Sequence, residues 1–196
     1  MSADRAGVYS REQGQDRASV TGSAVHFNQG KYADAVSDFK HAVELEPGNS
    51  EYFKKLAYAL SKAENHDEAV KTIIIGESKT TVKERAEYKR FISQIYDARA
   101  AQRTKDGHHE GAIADLNEAI KWDDTYPDAF DDRGALRYNS KQYEQAVEDF
   151  TKAIALAPNR PEFFVHRGHA LKGMGRNAEG QSDYETARRL EKAAGK

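Results

Sequence analysis

A small residue returns along this chain at a fixed interval. Ala35 and Ala69 stand 34 residues apart, as do Ala112 and Ala146, and again Ala146 and Gly180. The neighbours return with it. Four positions on comes a bulky side chain, Phe39, Ile73, Leu116, Phe150 or Tyr184, and three further a second small one, Ala42, Gly76, Ala119, Ala153 or Ala187. Most copies close on Leu45, Trp122, Leu156 or Leu190, the second carrying Lys79 there instead. Spacings of three and four put these side chains on one face of a helix. A repeat of this length is a supersecondary unit that cannot bury its apolar face alone, so copies must stack.

The residue types follow from that stacking. Ala35, Ala69, Ala112 and Ala146 fall where two helices approach most closely, and a larger side chain would force them apart. Gly30 and Gly175 suit the left-handed residue that ends a helix. Pro47 and Pro158 stop the second helix of a pair. The first helices repeat too: Phe53, Leu56-Ala57 and Leu60 correspond to Phe130, Arg133-Gly134 and Arg137, and to Phe164, Arg167-Gly168 and Leu171. The first copy is polar, with Ser19, Gly22-Ser23 and His26, as expected of a terminal unit whose outer side meets water.

This pattern resembles the tetratricopeptide repeat (TPR) family, whose unit is a 34-residue helix–turn–helix, and the resemblance covers about residues 16–192. It implies an all-α fold, an α-solenoid coiled as a right-handed superhelix of about five repeats. Their expected bounds are 16–49, 50–83, 84–126, 127–160 and 161–192, forming one domain after an N-terminal extension 1–15 and before a tail 193–196.

The register slips once: Ala69 and Ala112 are 43 residues apart. Tyr88, Phe91, Ile92, Ile95, Tyr96 and Ala100 keep an unbroken helical stripe, and neither Gly nor Pro occurs between 84 and 104. The nine extra residues are expected to lengthen one helix, 84–104, by about 13 Å. The alternative is a loop over 77–83 followed by a helix of normal length. Tyr88, Phe91 and Ile92 then need cover, from Ile73 to Ile75 or from a second copy of the chain in a homodimer.

Composition suits an array better than a compact globule. Of 196 residues, 38% are hydrophobic and 32% charged. Net charge is −2 with both signs mixed throughout. No Lys/Arg cluster of the kind that neutralises phosphates stands out, so nucleic acid is not an expected partner. Cysteine is absent, which excludes disulfide and thiolate chemistry. No apolar run approaches a membrane span, so no membrane insertion is expected. Met1 to Gly14 lacks the basic-then-apolar plan of a signal peptide. A cytoplasmic location is the expectation.

No catalytic constellation emerges. Neither a GxxxxGK loop nor a GxGxxG turn after a strand is present, and no strand pattern is visible. Asp123-Asp124 and Asp131-Asp132 read as solvated carboxylates or as charge favoured at helix N-termini. His166 and His169, at i and i+3, can face one way, and His108-His109 sit in a turn. Zinc wants three or four ligands, so neither pair makes a metal site. The expectation is a chain with no enzyme activity, no cofactor and no resident metal. A metal or small-ligand binder through the groove histidines is the weaker alternative.

In the TPR fold, first helices line a concave groove. Carried onto this chain, the resemblance places there Val20, Ala24 and Phe27, then Lys54, Lys55, Tyr58 and Lys62. Asp97 and Ala101 follow, then Asp128, Asp131, Asp132, Ala135 and Tyr138, and last Val165, His166, His169 and Lys172. The second repeat is thus basic and the fourth acidic. The implied function is a scaffold or adaptor holding a partner peptide or helix in the groove. A self-associating scaffold using Tyr88, Phe91 and Ile92 is the alternative. Some family members clamp acidic chaperone tails with Lys, Asn and Arg. Here Ala24, Tyr58 or Ala101 stand where the clamp asparagines would fall, and Asp128 and Asp132 replace the third-repeat cations, so that clamp is absent.

Overall fold

The computed structural model describes residues 25–195, and no strand occurs among them. Val20, Ala24 and the expected extension 1–15 lie outside the described residues. After a helical turn at 25–28 come α1 (Tyr32–Leu45), α2 (Ser50–Lys62), α3 (His66–Glu77) and α4 (Arg85–Lys105). Then follow α5 (His109–Trp122), α6 (Pro127–Asn139), α7 (Tyr143–Leu156), α8 (Pro161–Gly173) and α9 (Asn177–Ala194). The chain divides between Ala98 and Arg99, inside α4, into two compact units. In the first, α1 packs on α2 and α2 on α3; in the second, each helix from α5 to α9 packs on the next, and α6 also meets α8.

Local signals set the helix ends. The Asn49 side chain accepts the Glu51 backbone N–H at 3.1 Å, and Pro127 and Pro161 occupy first-turn positions where a missing N–H costs nothing. The turn inside each repeat is the same five times. The N–H groups of Lys31, Asn65, His108, Gln142 and Arg176 reach back to the carbonyls of His26, Leu60, Arg103, Arg137 and Leu171 at 2.8–2.9 Å. Such a turn needs a left-handed residue. Gly30, Gly107 and Gly175 supply it with φ of 74°, 78° and 78°, whereas Glu64 and Lys141 adopt 62° and 61° against their side chains.

The small residues sit at the contacts. Ala35, Ala69, Ala112 and Ala146 are each 0% exposed. A Cβ added at Gly180 would come within 2.7 Å of the Gly168 carbonyl oxygen, and one at Gly134 within 2.7 Å of the Phe150 ring. The glycine that breaks the alanine pattern in the second repeat has its own reason: at Gly76 a Cβ would meet the Tyr88 hydroxyl at 1.8 Å.

Helix α4 is a single helix of 21 residues, against 13 in α2, α6 and α8. The extra length is helical, with a short turn over 82–84 before it. Its apolar residues find cover within the chain. Tyr88 is 2% exposed and donates its hydroxyl to the Ser50 carbonyl at 3.3 Å, and Ile92 is 0% exposed. That corrects the expectation that Tyr88 and Ile92 offer a self-association surface, because the space left by Gly76 and the start of α2 takes the Tyr88 ring. Burial holds the Tyr88 phenol well above its usual range, reinforced by the Glu51 and Glu77 charges.

One periodic interaction escaped the sequence reading. Asp115, Asp149 and Asp183 are buried aspartates on second helices, one per repeat. Each takes a two-pronged guanidinium from the first helix: Arg99 at 2.9 and 2.6 Å, Arg133 at 3.0 and 2.6 Å, Arg167 at 2.8 and 2.8 Å. Arg103 and Arg137 add a second cation to the first two, at 2.9 and 2.7 Å. Arg133 and Arg167 also reach back one repeat, to Asn117 and Thr151. His26 meets Asp38 at 2.8 Å in the corresponding place of the first repeat. In the second repeat the corresponding residues are Leu56, Leu60 and Thr72, so charge and counter-charge are replaced together.

Three stability outcomes are expected in urea unfolding. Lys141→Gly relieves a left-handed lysine and should stabilise by about 1 kcal/mol. Ala146→Leu should cost about 1–3 kcal/mol through overpacking. Asp149→Ala leaves two guanidinium groups facing each other in a half-dry space and should cost about 3 kcal/mol, with Asp149→Thr, Arg133→Leu and Arg137→Leu together recovering most of it. Unchanged stability in Ala146→Leu would mean the helix contact is not where the register puts it.

Candidate partner-binding faces

In the first unit, the exposed side of α2 and the start of α4 carry a run of aromatic rings. Phe27 stacks on Tyr58 with centroids 5.0 Å apart, and Tyr58 meets Phe91 edge-on at 5.9 Å. Tyr58 remains 40% exposed. Lys62 places its ammonium 5.3 Å from the Tyr58 ring centre, and Lys54 lies 5.9 Å from that of Phe91. Such contacts hold a lysine over an aromatic face while leaving its N–H donors available.

The three lysines expected here are not equivalent. Lys54 bonds to Glu51 at 2.7 Å and Glu87 at 2.8 Å. Burial would depress its ammonium, but the two carboxylates outweigh that and hold it above its ordinary value. Lys55 lies 3.9 Å from Glu51. Lys62 is exposed, and among the described residues no carboxylate pairs with it. Phe91, expected as a self-association residue, joins this strip instead. Its i+3 relation to Tyr88 hid the difference, because one residue faces the core and the other the α2 face.

In the second unit, α6 and α8 form the corresponding face. Asp131 is buried and accepts from His166 Nδ1 at 2.8 Å, which corrects its expected place as an open groove carboxylate: the neighbouring helix already covers it. Asp128 pairs with Arg160, which also bonds Glu162 at 2.8 Å. Asp132 is exposed. Tyr138 meets Tyr143 at 5.6 Å and His169 at 6.4 Å, and His169 meets Tyr184 at 5.4 Å with Lys172 4.7 Å above that ring. His166 and His169 thus have separate protein contacts. Among the described residues no three His, Cys, Asp or Glu side chains gather into a metal-binding group.

Between α4 and α6 lies an open cleft of about 230 Å³. Its rim includes Ala101, Thr104, Asp132, Ala135 and Asn139, so three residues expected on the groove, Ala101, Asp132 and Ala135, do come together.

Two stretches, residues 127–160 and 23–49, match family models described as tetratricopeptide repeat. The chain carries tetratricopeptide repeats. A crystal structure of MamA aligns with 88% of this TPR chain and 96% of its own, at TM-score 0.66 and 18% identity. MamA 41-end from Desulfovibrio magneticus RS-1 aligns over 91% and 96%, at TM-score 0.65 and 15% identity. Those likenesses are of fold. The second TPR of Spaghetti (RPAP3), bound to HSP90 peptide SRMEEVD, covers 55% of this chain and 98% of its own, at TM-score 0.52 and 27% identity. No curated protein sequence matches. Repeats of this kind generally form non-catalytic protein–protein interaction scaffolds. No described helix is long and apolar enough to cross a membrane.

The Asp131–His166 bond gives this TPR face a pH signature. The bond to Asp131 raises the His166 pKa above its ordinary value; burial opposes it, and the Asp131 and Glu162 charges add to it. A raised folded pKa contributes stability that is complete below the unfolded value near 6.5 and is lost as pH rises through the folded value. The thermal midpoint should therefore fall across that window, and His166→Gln should flatten the slope. An identical slope in the variant would assign it to another group.

Proposed function

We propose that this chain is an adaptor that holds a segment of a partner protein, extended or helical, against its first-helix faces. The observation that carries the reading is the Phe27–Tyr58–Phe91 strip with Lys62 beside it: large rings left half in water, with an ammonium that no described carboxylate neutralises. Tyrosine and phenylalanine supply contact area at little conformational cost and anchor partner segments well.

The partner chemistry differs from that of the chaperone-tail complex. The RPAP3 repeat is bound to an acidic peptide, SRMEEVD. Here Asp128 and Asp132 stand where the third-repeat cations of such a clamp would fall, so a carboxylate-rich tail lacks its partners there. The favoured segment offers apolar or acidic groups to Tyr58 and Lys62. A protein segment fits this better than nucleic acid, since aromatic rings rather than a cluster of cations make up the strip. Self-association through α4 loses two of its three residues, Tyr88 and Ile92, to the chain's own core.

Site-specific photocrosslinking tests the reading. A benzoylphenylalanine at Tyr58 should trap a partner in cell extract, whereas one at the exposed second-helix positions Lys71 or Glu148 should not. Tyr58→Ala should then weaken the trapped partner's binding by about 2 kcal/mol, as expected of an aromatic anchor, and Lys62→Glu should weaken it further without loss of helicity. Equal trapping from Lys71 would move the site to the second-helix side.

A further inference from the structure

The three Arg–Asp clasps of the second unit are not alike. At Asp115 and Asp149 the Oδ2 atom takes two guanidinium groups: Arg99 and Arg103, both at 2.9 Å, and Arg133 at 3.0 Å with Arg137 at 2.7 Å. At Asp183, among the described residues, Oδ2 takes Arg167 alone, at 2.8 Å. One period after Arg103 and Arg137 stands Leu171, which has nothing to donate. The second repeat also has a leucine there, Leu60, but Leu56 and Thr72 accompany it and no charge is left behind. In the last repeat the exchange is half made. The second cation is gone, and the carboxylate stays, 6% exposed.

An open cleft of about 310 Å³ lies at this place, lined from α7, α8 and α9. Val147 and Leu171 give it an apolar side, and Asp183 and the Ser182 hydroxyl a polar one. Two cations also line it, and both are engaged. Arg167 donates to Asp183 and to the Thr151 hydroxyl at 3.2 Å. Arg176 gives Nε and Nη2 to Glu179 at 2.7 and 2.5 Å. The charges on the lining balance, Arg167 and Arg176 against Asp183 and Glu179. An anion would have to draw a guanidinium away from its carboxylate. A further guanidinium meets an oxygen whose counterparts, in the two repeats before it, each accept two.

We infer that this cleft binds a guanidinium group, which takes the place of Arg103 and Arg137 and donates to Asp183 Oδ2. Its aliphatic stem lies on Val147 and Leu171, and its remaining N–H groups face the Ser182 hydroxyl and water. Long basic groups pack in this divided way, with the stem covered and the charged end partly solvated. A guanidinium is planar, always charged and weakly hydrated, so it shares a half-dry carboxylate better than an ammonium does. The ligand is a small guanidino compound or an arginine side chain, which present the same cation. The cleft belongs to the second-helix side, so the inference stands independently of the adaptor reading on the first-helix faces.

The test is a titration of the ¹⁵N-labelled full chain with N-acetyl-arginine methylamide, its citrulline counterpart, free arginine and inorganic phosphate. The capped arginine should shift the amides of Leu171, Glu179 and Asp183 saturably. Citrulline has the same shape without the charge and should bind about tenfold more weakly, the range of a hydrogen bond to a charged group. Leu171→Arg supplies the guanidinium from within and should abolish binding while helicity is kept. Arg137→Leu opens the same place beside Asp149 and should add a second site, with new shifts at Asp149. Equal binding of citrulline, larger shifts from phosphate, unaltered arginine binding in Leu171→Arg, no second site in Arg137→Leu, or no saturable shift at all would each overturn the inference. Free arginine binding as tightly as the capped probe supports a small guanidino compound as the ligand, and binding of the capped probe alone supports an arginine of a protein. None of these results would alter crosslinking from Tyr58, which tests the adaptor reading separately.

Discussion

Close approach of helices at small residues is the constraint on which everything else here rests. With no side-chain bulk at Ala35, Ala69, Ala112 and Ala146, the two helices of a repeat meet through their backbones and short side chains. The larger residues on either side, Phe39, Ile73, Leu116 and Phe150, then reach across and fill the space between helices. Because the chain must return to this contact in every repeat, the 34-residue period, the left-handed turn and the helix lengths are all tied to it. Gly180 and Gly76 show the same rule in stricter form, for there even a methyl group would collide with a neighbour.

The buried aspartates add direction to that packing. Asp115, Asp149 and Asp183 are held by guanidinium groups that arrive from one helix with fixed geometry, which sets how the two helices of a repeat rotate against each other. Where this arrangement is missing it is missing as a whole: Thr72 accompanies Leu56 and Leu60. A buried charge without its partner is costly, whereas exchange of the whole set for apolar groups is tolerated. The second repeat has taken that exchange, and its first helix has the aromatic strip on its other side.

Much of the fold was legible because a repeat multiplies weak local signals. One alanine means little, but five small residues in register define helix pairs, and the unbroken stripe from Tyr88 to Ala100 gave the long helix α4. The binding faces were less legible. Lys54, Lys55 and Lys62 look alike along the sequence, yet only the fold brings Glu87 to Lys54 and leaves Lys62 over the Tyr58 ring. Asp131 and Asp132 are adjacent, but the neighbouring helix covers the first with His166 and leaves the second exposed. The Arg–Asp clasps had a signal that went unread, since arginine and aspartate 16 residues apart recur at the 34-residue period.

The sequence by itself determined the helical class, the repeat length, the positions of close contact and the lengthening of α4, because these depend on spacing within one repeat. Only the tertiary structure decided which residues of α4 face inward, so that Tyr88 and Ile92 complete the core while Phe91 joins an exposed strip. It also decided which charges are paired within the fold, as Lys54 is with Glu51 and Glu87, and that a cleft lies open between α4 and α6. The physical reason is that exposure and pairing belong to neighbouring helices taken together. Spacing along one helix says which residues share a side, but the helix packed against it settles what that side touches.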